Sequence, residues 1–230
     1  MNQNGRVFKL VSWNVRGLGD DSKCDVVRDA LCSDRATVIC LQETKLHSTS
    51  PAKAKSFLPS NFRNLHCVDA RGSRGGILTA WDDNSLTLHS FITRKHTLTT
   101  VFSSTITNLS FTITNVYAPS DHRDSASFLE DLHELVPKIN GAWVIAGDFN
   151  LVRSSDDKNN DRFDHNLASH FNDTINSLAL LELPLLDRLF TWSNRRNSPT
   201  LARLDRVFFN NSMSTTFPNS SLTSITRTTS

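Results

Sequence analysis

Three acids stand where an apolar run of the chain stops or is broken: Glu43 in LQETKL, Asp148 in VIAGDFN and Asp205 in RLDRV. A carboxylate in such a run needs a partner or a metal, because burying it unpaired is costly. Amides gather at the same kind of place. Asn14 follows Ser12-Trp13, Asn150 lies two residues beyond Asp148, and Tyr117, the sole tyrosine, closes Asn115-Val116-Tyr117. Oxygen ligands of this kind suit Mg²⁺, which takes one or two carboxylates with waters and substrate phosphate. Zinc is not suggested, since Cys and His lack its ligand spacing. Side chains two apart on an extended chain point the same way, so Asp148 and Asn150 are expected to converge on one small group. Gly147 is expected to let the backbone turn as it leaves the sheet.

Each residue also has a plainer explanation. Gly-Asp-Phe-Asn is turn-like in composition, and Asn14 can cap a turn. Glu43 can be a solvated strand-end acid, Tyr117 an amphipathic core residue, and Asp205 the ion-pair partner of Arg203 or Arg206. The repetition of acids and amides at strand ends is what points to metal-assisted chemistry.

The elements that must position these groups are short. Val7 to Trp13, Ala36 to Leu41, Gly76 to Trp81, Leu86 to Ile92, Leu98 to Phe102, Phe111 to Tyr117, Trp143 to Ala146 and Leu204 to Phe209 have strand length and composition. Helical spacing places Phe163, Leu167, Phe171, Ile175 and Leu178 on one face, with Asn166, Asp173 and Asn176 outward. A second face, Phe128, Leu129, Leu132, Leu135 and Val136, ends at Pro137; Val26, Val27, Ala30 and Leu31 form a weaker one. Ser50-Pro51 reads as an N-cap followed by proline at the first helical position. Strands in this number with a few helices between them predict two packed sheets with helices outside, a layered α/β fold in one domain spanning 1–230. The Ser/Thr-rich stretch 212–230 reads either as a tail or, through Leu222 and Ile225, as a late strand.

With 38% apolar and 21% charged residues, the composition is that of an ordinary globular protein. A formal net charge of +2 neither announces nor excludes a nucleic-acid partner. No apolar run approaches a membrane span, and MNQNGRVFKL has no signal-peptide core, so an unanchored intracellular protein is expected. Cys24, Cys32, Cys40 and Cys67 show no Cys-x-x-Cys spacing and are expected to be reduced core fillers.

Seven blocks, in order along nearly the whole chain, resemble the endonuclease/exonuclease/phosphatase superfamily, most of all the endonuclease domain of LINE-type non-LTR retrotransposons of plants. They are SWNVRGLG (Ser12 to Gly19), LQETKL (Leu41 to Leu46), GGILTAW (Gly75 to Trp81), NVYAP (Asn115 to Pro119), GDFN (Gly147 to Asn150), FTWSN (Phe190 to Asn194) and RLDRV (Arg203 to Val207). The resemblance implies a two-sheet α/β/β/α sandwich and Mg²⁺- or Mn²⁺-dependent hydrolysis of a DNA phosphodiester by a monomer acting in the nucleus. Glu43 would ligate the metal with Asn14 beside it. Asp148 would align or deprotonate the water, Asn150 and Tyr117 would hold phosphate oxygens, and Thr191 would support the site. Arg16, Arg71, Arg74, Arg153, Arg195 and Arg196 would contact DNA phosphates, although each alone also reads as a solvated arginine.

The family ends on a Ser-Asp-His motif whose His is oriented by the acid matching Asp205. Here the sequence reads Thr228-Thr229-Ser230, so Ser230 matches the first member alone. On the resemblance, the last strand is expected to be missing and nicking sharply reduced. Ser120-Asp121-His122 lies in a loop where displacement argues against its acting as a substitute. The alternatives left open are a catalytically inactive DNA-binding remnant and a phosphatase of the same superfamily.

Overall fold

The computed structural model describes residues 8–71 and 75–225. Two sheets form its centre. In the first, β1 (Leu10–Asn14) pairs parallel with β2 (Val38–Gln42), and β4 (Ile77–Trp81) and then β3 (Asn64–Val68) continue antiparallel. The second runs β5 (Leu86–Thr93), β6 (Thr97–Ser104), β7 (Ser110–Tyr117), β8 (Ala142–Asp148), β12 (Asp205–Phe209) and β9 (Leu181–Glu182). Within it β7 and β8 are parallel, while β12 runs against β8. A separate hairpin joins β10 (Trp192–Ser193) to β11 (Leu201–Ala202).

Strand alternation sorts the core into three layers. Val11, Ile39, Leu41, Leu78 and Ala80 face outward from the first sheet onto α1 (Asp21–Asp34) and α2 (Pro51–Phe57). Their neighbours Val38 and Cys40 face inward and meet Phe102, Phe111, Ile113, Val144, Val207 and Phe209 of the second sheet. On that sheet's far side Val116, Trp143, Ile145 and Phe208 lie under α3 (Ser125–His133) and α4 (His165–Ser177). The α/β/β/α layering expected from the sequence is therefore the observed one.

Local chemistry accounts for the helix starts. The side chains of Asp20, Ser50 and Asp164 each accept the backbone N–H three residues on, satisfying a donor the helix cannot. Among the expected helix faces, Phe163 lies before the α4 cap and stacks edge-on against His165. Val26 is exposed, and Cys24, Val27 and Leu31 form the buried stripe of α1. The α3 face stops at His133; Val136 and Pro137 belong to a following 3-10 turn, where proline needs no N–H partner.

Other expectations are corrected. Stretch 212–225 begins inside α5 (Asn211–Thr216), then Leu222 bridges to Leu185 and Ile225 packs on the outer core of the first sheet, so it is neither a tail nor a full strand. Cys24 and Cys40 are buried fillers and Cys67 is half-buried, but Cys32 is exposed on the outer side of α1. Gly147 lies inside β8 rather than in the turn: a Cβ there would collide with the Val116 backbone of the parallel neighbour, and φ is +151°. Among the described residues no helix is long and apolar enough to cross a membrane. Ser230 and Arg74 lie outside the described residues.

Candidate active site

The inner faces of the two sheets are apolar in the middle and become polar at one end. On β7, Phe111 and Ile113 give way to Asn115 and Tyr117; on β8, Val144 and Ala146 give way to Asp148; on β2, Val38 and Cys40 give way to Gln42. Asn14 ends β1 beside Gln42, and Asp205 begins β12 beside Asp148, which in turn pairs with Tyr117. Because β1, β2, β7 and β8 all end here, their last inward side chains meet in a cleft outside the strands' carboxyl ends, where α/β sheets place ligands.

Beneath the cleft two buried amides tie the sheets together. Gln42 Nε2 donates to Asn115 Oδ1 at 2.7 Å and to Ser12 Oγ at 3.1 Å, while Asn115 Nδ2 donates to Leu78 O at 2.9 Å. Sequence reasoning assigned neither amide a role. The signal that could have found them is parity: both occupy inward positions of otherwise apolar strands, where a polar side chain must be hydrogen-bonded.

Asp148 is 4% exposed. Asn14 Nδ2 donates to its Oδ2 at 2.7 Å, and the Asn150 backbone N–H donates to its Oδ1 at 3.0 Å. Asn150 has φ +49° and sends Nδ2 to Ala118 O at 2.9 Å. Asp148 and Asn150 thus converge through a side-chain-capped turn beyond the strand end, not through strand alternation. Burial raises the Asp148 pKa, the bonds from Asn14 and Asn150 oppose that rise, and the Glu43 charge adds to it.

Asp205 is tied to Thr191, whose hydroxyl oxygen accepts the N–H groups of Leu204 and Asp205 at 3.1 and 3.0 Å. Burial, followed by the Asp148 charge, pushes the Asp205 carboxyl up to about 7. Its expected partners lie elsewhere: Arg206 pairs with Asp157 and Glu182, and Arg203 Nη2 lies 3.0 Å from Glu182. Desolvation and the charge of one acid on the other therefore hold both cleft carboxyls above the usual carboxylate range.

Glu43 adopts φ +51° just past β2, its carboxylate lies 3.1 Å from Lys45 Nζ, and its charge acts on Tyr117. Burial and the charges of Glu43 and Asp148 raise the Tyr117 pKa, so the phenol stays protonated and remains a donor. Gly75 is required beside them, since a Cβ there would lie 2.9 Å from both Glu43 Cγ and Tyr117 Cε1.

The expected DNA-contacting arginines divide. Arg16 is half-buried, and its charge acts on Asp148, Asp205 and Tyr117, which places it at the cleft. Arg195 and Arg196 are exposed between β10 and β11, and the Arg195 charge reaches Lys23 on α1. Arg71 is exposed beside the undescribed 72–74. Arg153 is withdrawn from the expected phosphate contact: Nε donates to Asn172, Nη1 to Glu182, and the guanidinium lies over Phe208 on the α4 side. Lys23 and Lys45 are cleft cations that sequence reasoning did not single out. Of Ser120-Asp121-His122, Asp121 is held by Arg123, whose hydrogen bonds lower its carboxyl to about 2, and it does not orient His122.

The donor set fits a hard divalent cation. Glu43 offers a part-exposed carboxylate already faced by a cationic ammonium, and Asn14 ends β1 at the same cleft with its Oδ1 accepting the Arg16 N–H. Among the described residues no group of three or more His, Cys, Asp or Glu could form a closed cage. One carboxylate plus waters and substrate oxygens is the way Mg²⁺ is commonly held.

A layered sandwich with an acid-bearing cleft at its strand ends is the frame of a hydrolytic nuclease or phosphodiesterase. Residues 11–224 match the model of the Endonuclease/Exonuclease/phosphatase family, and the chain belongs to that family. Solved structures share the fold: the AP endonuclease LMAP from Leishmania major has a TM-score of 0.70 at 19% identity, over 90% of this chain and 80% of that one. The endonuclease domain of TRAS1, a telomere-specific non-LTR retrotransposon, gives 0.65 at 15%, over 89% and 86%. The Xenopus laevis APE2 catalytic domain gives 0.66 at 19%, over 89% and 82%. No curated protein matches the chain significantly.

Proposed function

We propose that this protein is a divalent-metal-dependent DNA endonuclease that nicks one strand, of the non-LTR retrotransposon type, and works on nuclear DNA as a single-domain monomer. The observation that carries the reading is the Asp148–Asp205 pair, adjacent in register at the cleft with both carboxyls pushed above the usual range, beside Tyr117 and the Glu43 carboxylate. Mg²⁺ or Mn²⁺ held by Glu43 and Asn14 would supply charge neutralisation at the scissile phosphate.

The side chains supply the rest. The Asn14 and Asn150 donors favour ionised Asp148, so Asp148 accepts the proton of the attacking water while Asp205 keeps its own. Thr191 fixes Asp205 in place. Tyr117 and the free amide hydrogen of Asn150 donate to phosphate oxygens as negative charge builds in the transition state. Arg16 and Arg195 hold flanking phosphates without reading bases.

The test is conversion of supercoiled plasmid to nicked circles in Mg²⁺, with Glu43→Ala beside the wild type. Nicking that disappears in the variant is expected. A folded protein that leaves plasmid intact but releases phosphate from small esters would replace this reading with a phosphatase; DNA binding without either reaction would leave a binding remnant.

A further inference from the structure

We propose that Lys45 is a built-in counter-cation of the cleft, which neutralises Glu43 in the metal-free protein, competes with the metal for that carboxylate, and passes to a DNA phosphate when the metal takes its place. This rests on the assignment of Glu43 as the metal ligand.

The pairing is built by the backbone. Glu43 and Lys45 both adopt left-handed conformations, φ +51° and +55°, and Thr44 between them is buried at 3% exposure. Both flanking side chains are thereby turned out together, with Nζ 3.1 Å from Oε1. Two glycine loops clamp the bend. Gly17 N–H donates to Glu43 O at 2.6 Å and Leu18 N–H to Thr44 O at 2.9 Å on one side; Lys45 N–H donates to Gly75 O at 2.6 Å on the other. The Lys45 stem runs over Gly17, where a Cβ would lie 3.3 Å from its Cδ. An ordinary exposed pair contributes little because two long side chains must be ordered. Here the backbone turns both side chains to the same place, and the Lys45 stem lies over Gly17.

The surroundings leave Lys45 with few anions to share. Lys23 donates to Arg16 O at 2.9 Å, and the charges acting on its ammonium are those of Glu43 and of Lys45, Arg16 and Arg195. A divalent ion at Glu43 adds two more positive charges, so the Lys45 ammonium, whose side chain is 60% exposed, is driven toward solvent. A DNA phosphate entering the cleft is the anion that can receive it.

The experiment measures Mn²⁺ binding to the metal-free full chain by electron paramagnetic resonance, without DNA, for wild type, Lys45→Gln, Lys45→Arg and Glu43→Ala. Lys45→Gln should bind Mn²⁺ roughly three- to tenfold more tightly, as expected for one half-exposed charge removed beside a divalent ion. Lys45→Arg should stay near wild type. In parallel, DNA affinity in Ca²⁺ should weaken in Lys45→Gln, and its log–log salt slope should fall by about one. A merely structural role would weaken both affinities together. Unchanged or weaker Mn²⁺ binding in Lys45→Gln overturns the inference. Wild-type Mn²⁺ binding by Glu43→Ala overturns the metal assignment itself, and the inference falls with it.

Discussion

The protein withdraws acids wholly or partly from solvent in two places and treats them in opposite ways. Asp157 and Glu182 are surrounded by Arg206, Arg203 and Arg153, and Arg206 is 1% exposed by side chain. Asp148 and Asp205 lie next to each other with only neutral donors in direct contact, and both carboxyls are pushed upward. The first cluster fastens β9, β12 and the loop after β8 into one block. The second sets the mouth of that block at a standing electrostatic cost. The contrast separates acids matched by arginines, which hold elements together, from acids left beside one another with neutral donors at the cleft.

Removing the holding charge should have the largest effect. Arg206→Met strands Asp157 and half-strands Glu182, so we expect a loss of about 3–5 kcal/mol in urea unfolding. A loss below that of an exposed pair would show that the cluster is not a unit. Asp205→Asn should act in the other direction, raising stability of the metal-free protein by about 1–3 kcal/mol at pH 8 while lowering the nicking rate about a hundredfold. A variant that is less stable than wild type at that pH would mean that Asp205 is not electrostatically strained.

The pH dependence follows from the same pair. Both native carboxyls lie above the unfolded value of about 3.9, so the native state holds extra protons from there upward. Stability from this source is fully present below about pH 4 and declines as pH rises toward the Asp205 value of about 7. Thermal unfolding of wild type against Asp205→Asn should show the difference widening across that window and levelling beyond it. The smallest effect is expected at Arg195, exposed at the β10–β11 turn: Arg195→Ala should leave stability within about 0.5 kcal/mol and reduce the salt slope of DNA binding by about one.

The eight apolar runs of strand length each contain a strand, although β5 is largely exposed and is held by its pairing with β6 rather than by burial. β3 escaped because NLHCV carries Asn64 and His66 on a half-buried edge, and β9, β10 and β11 are two-residue pieces set by tertiary pairing. Asn14, Glu43, Asp148 and Asp205 stood out in the sequence as acids and amides at or within apolar runs, and Tyr117 as the sole tyrosine, while the roles proposed for them came from the family resemblance. Arg153 was not, since nothing local says whether a guanidinium turns to solvent or to Glu182. Lys45 was hidden for a different reason: its side chain is placed by two consecutive-but-one left-handed residues, a backbone property that composition does not encode.

The Gln42–Asn115 bridge has a mechanical side. Apolar contacts elsewhere between the sheets can slide past one another, but the amides lock Leu41, Leu78 and Thr79 to the opposite sheet through directional bonds. A sandwich riveted at one end opens from the other. Amide hydrogens of β2, β4 and β7 nearest the cleft should therefore be among the slowest to exchange.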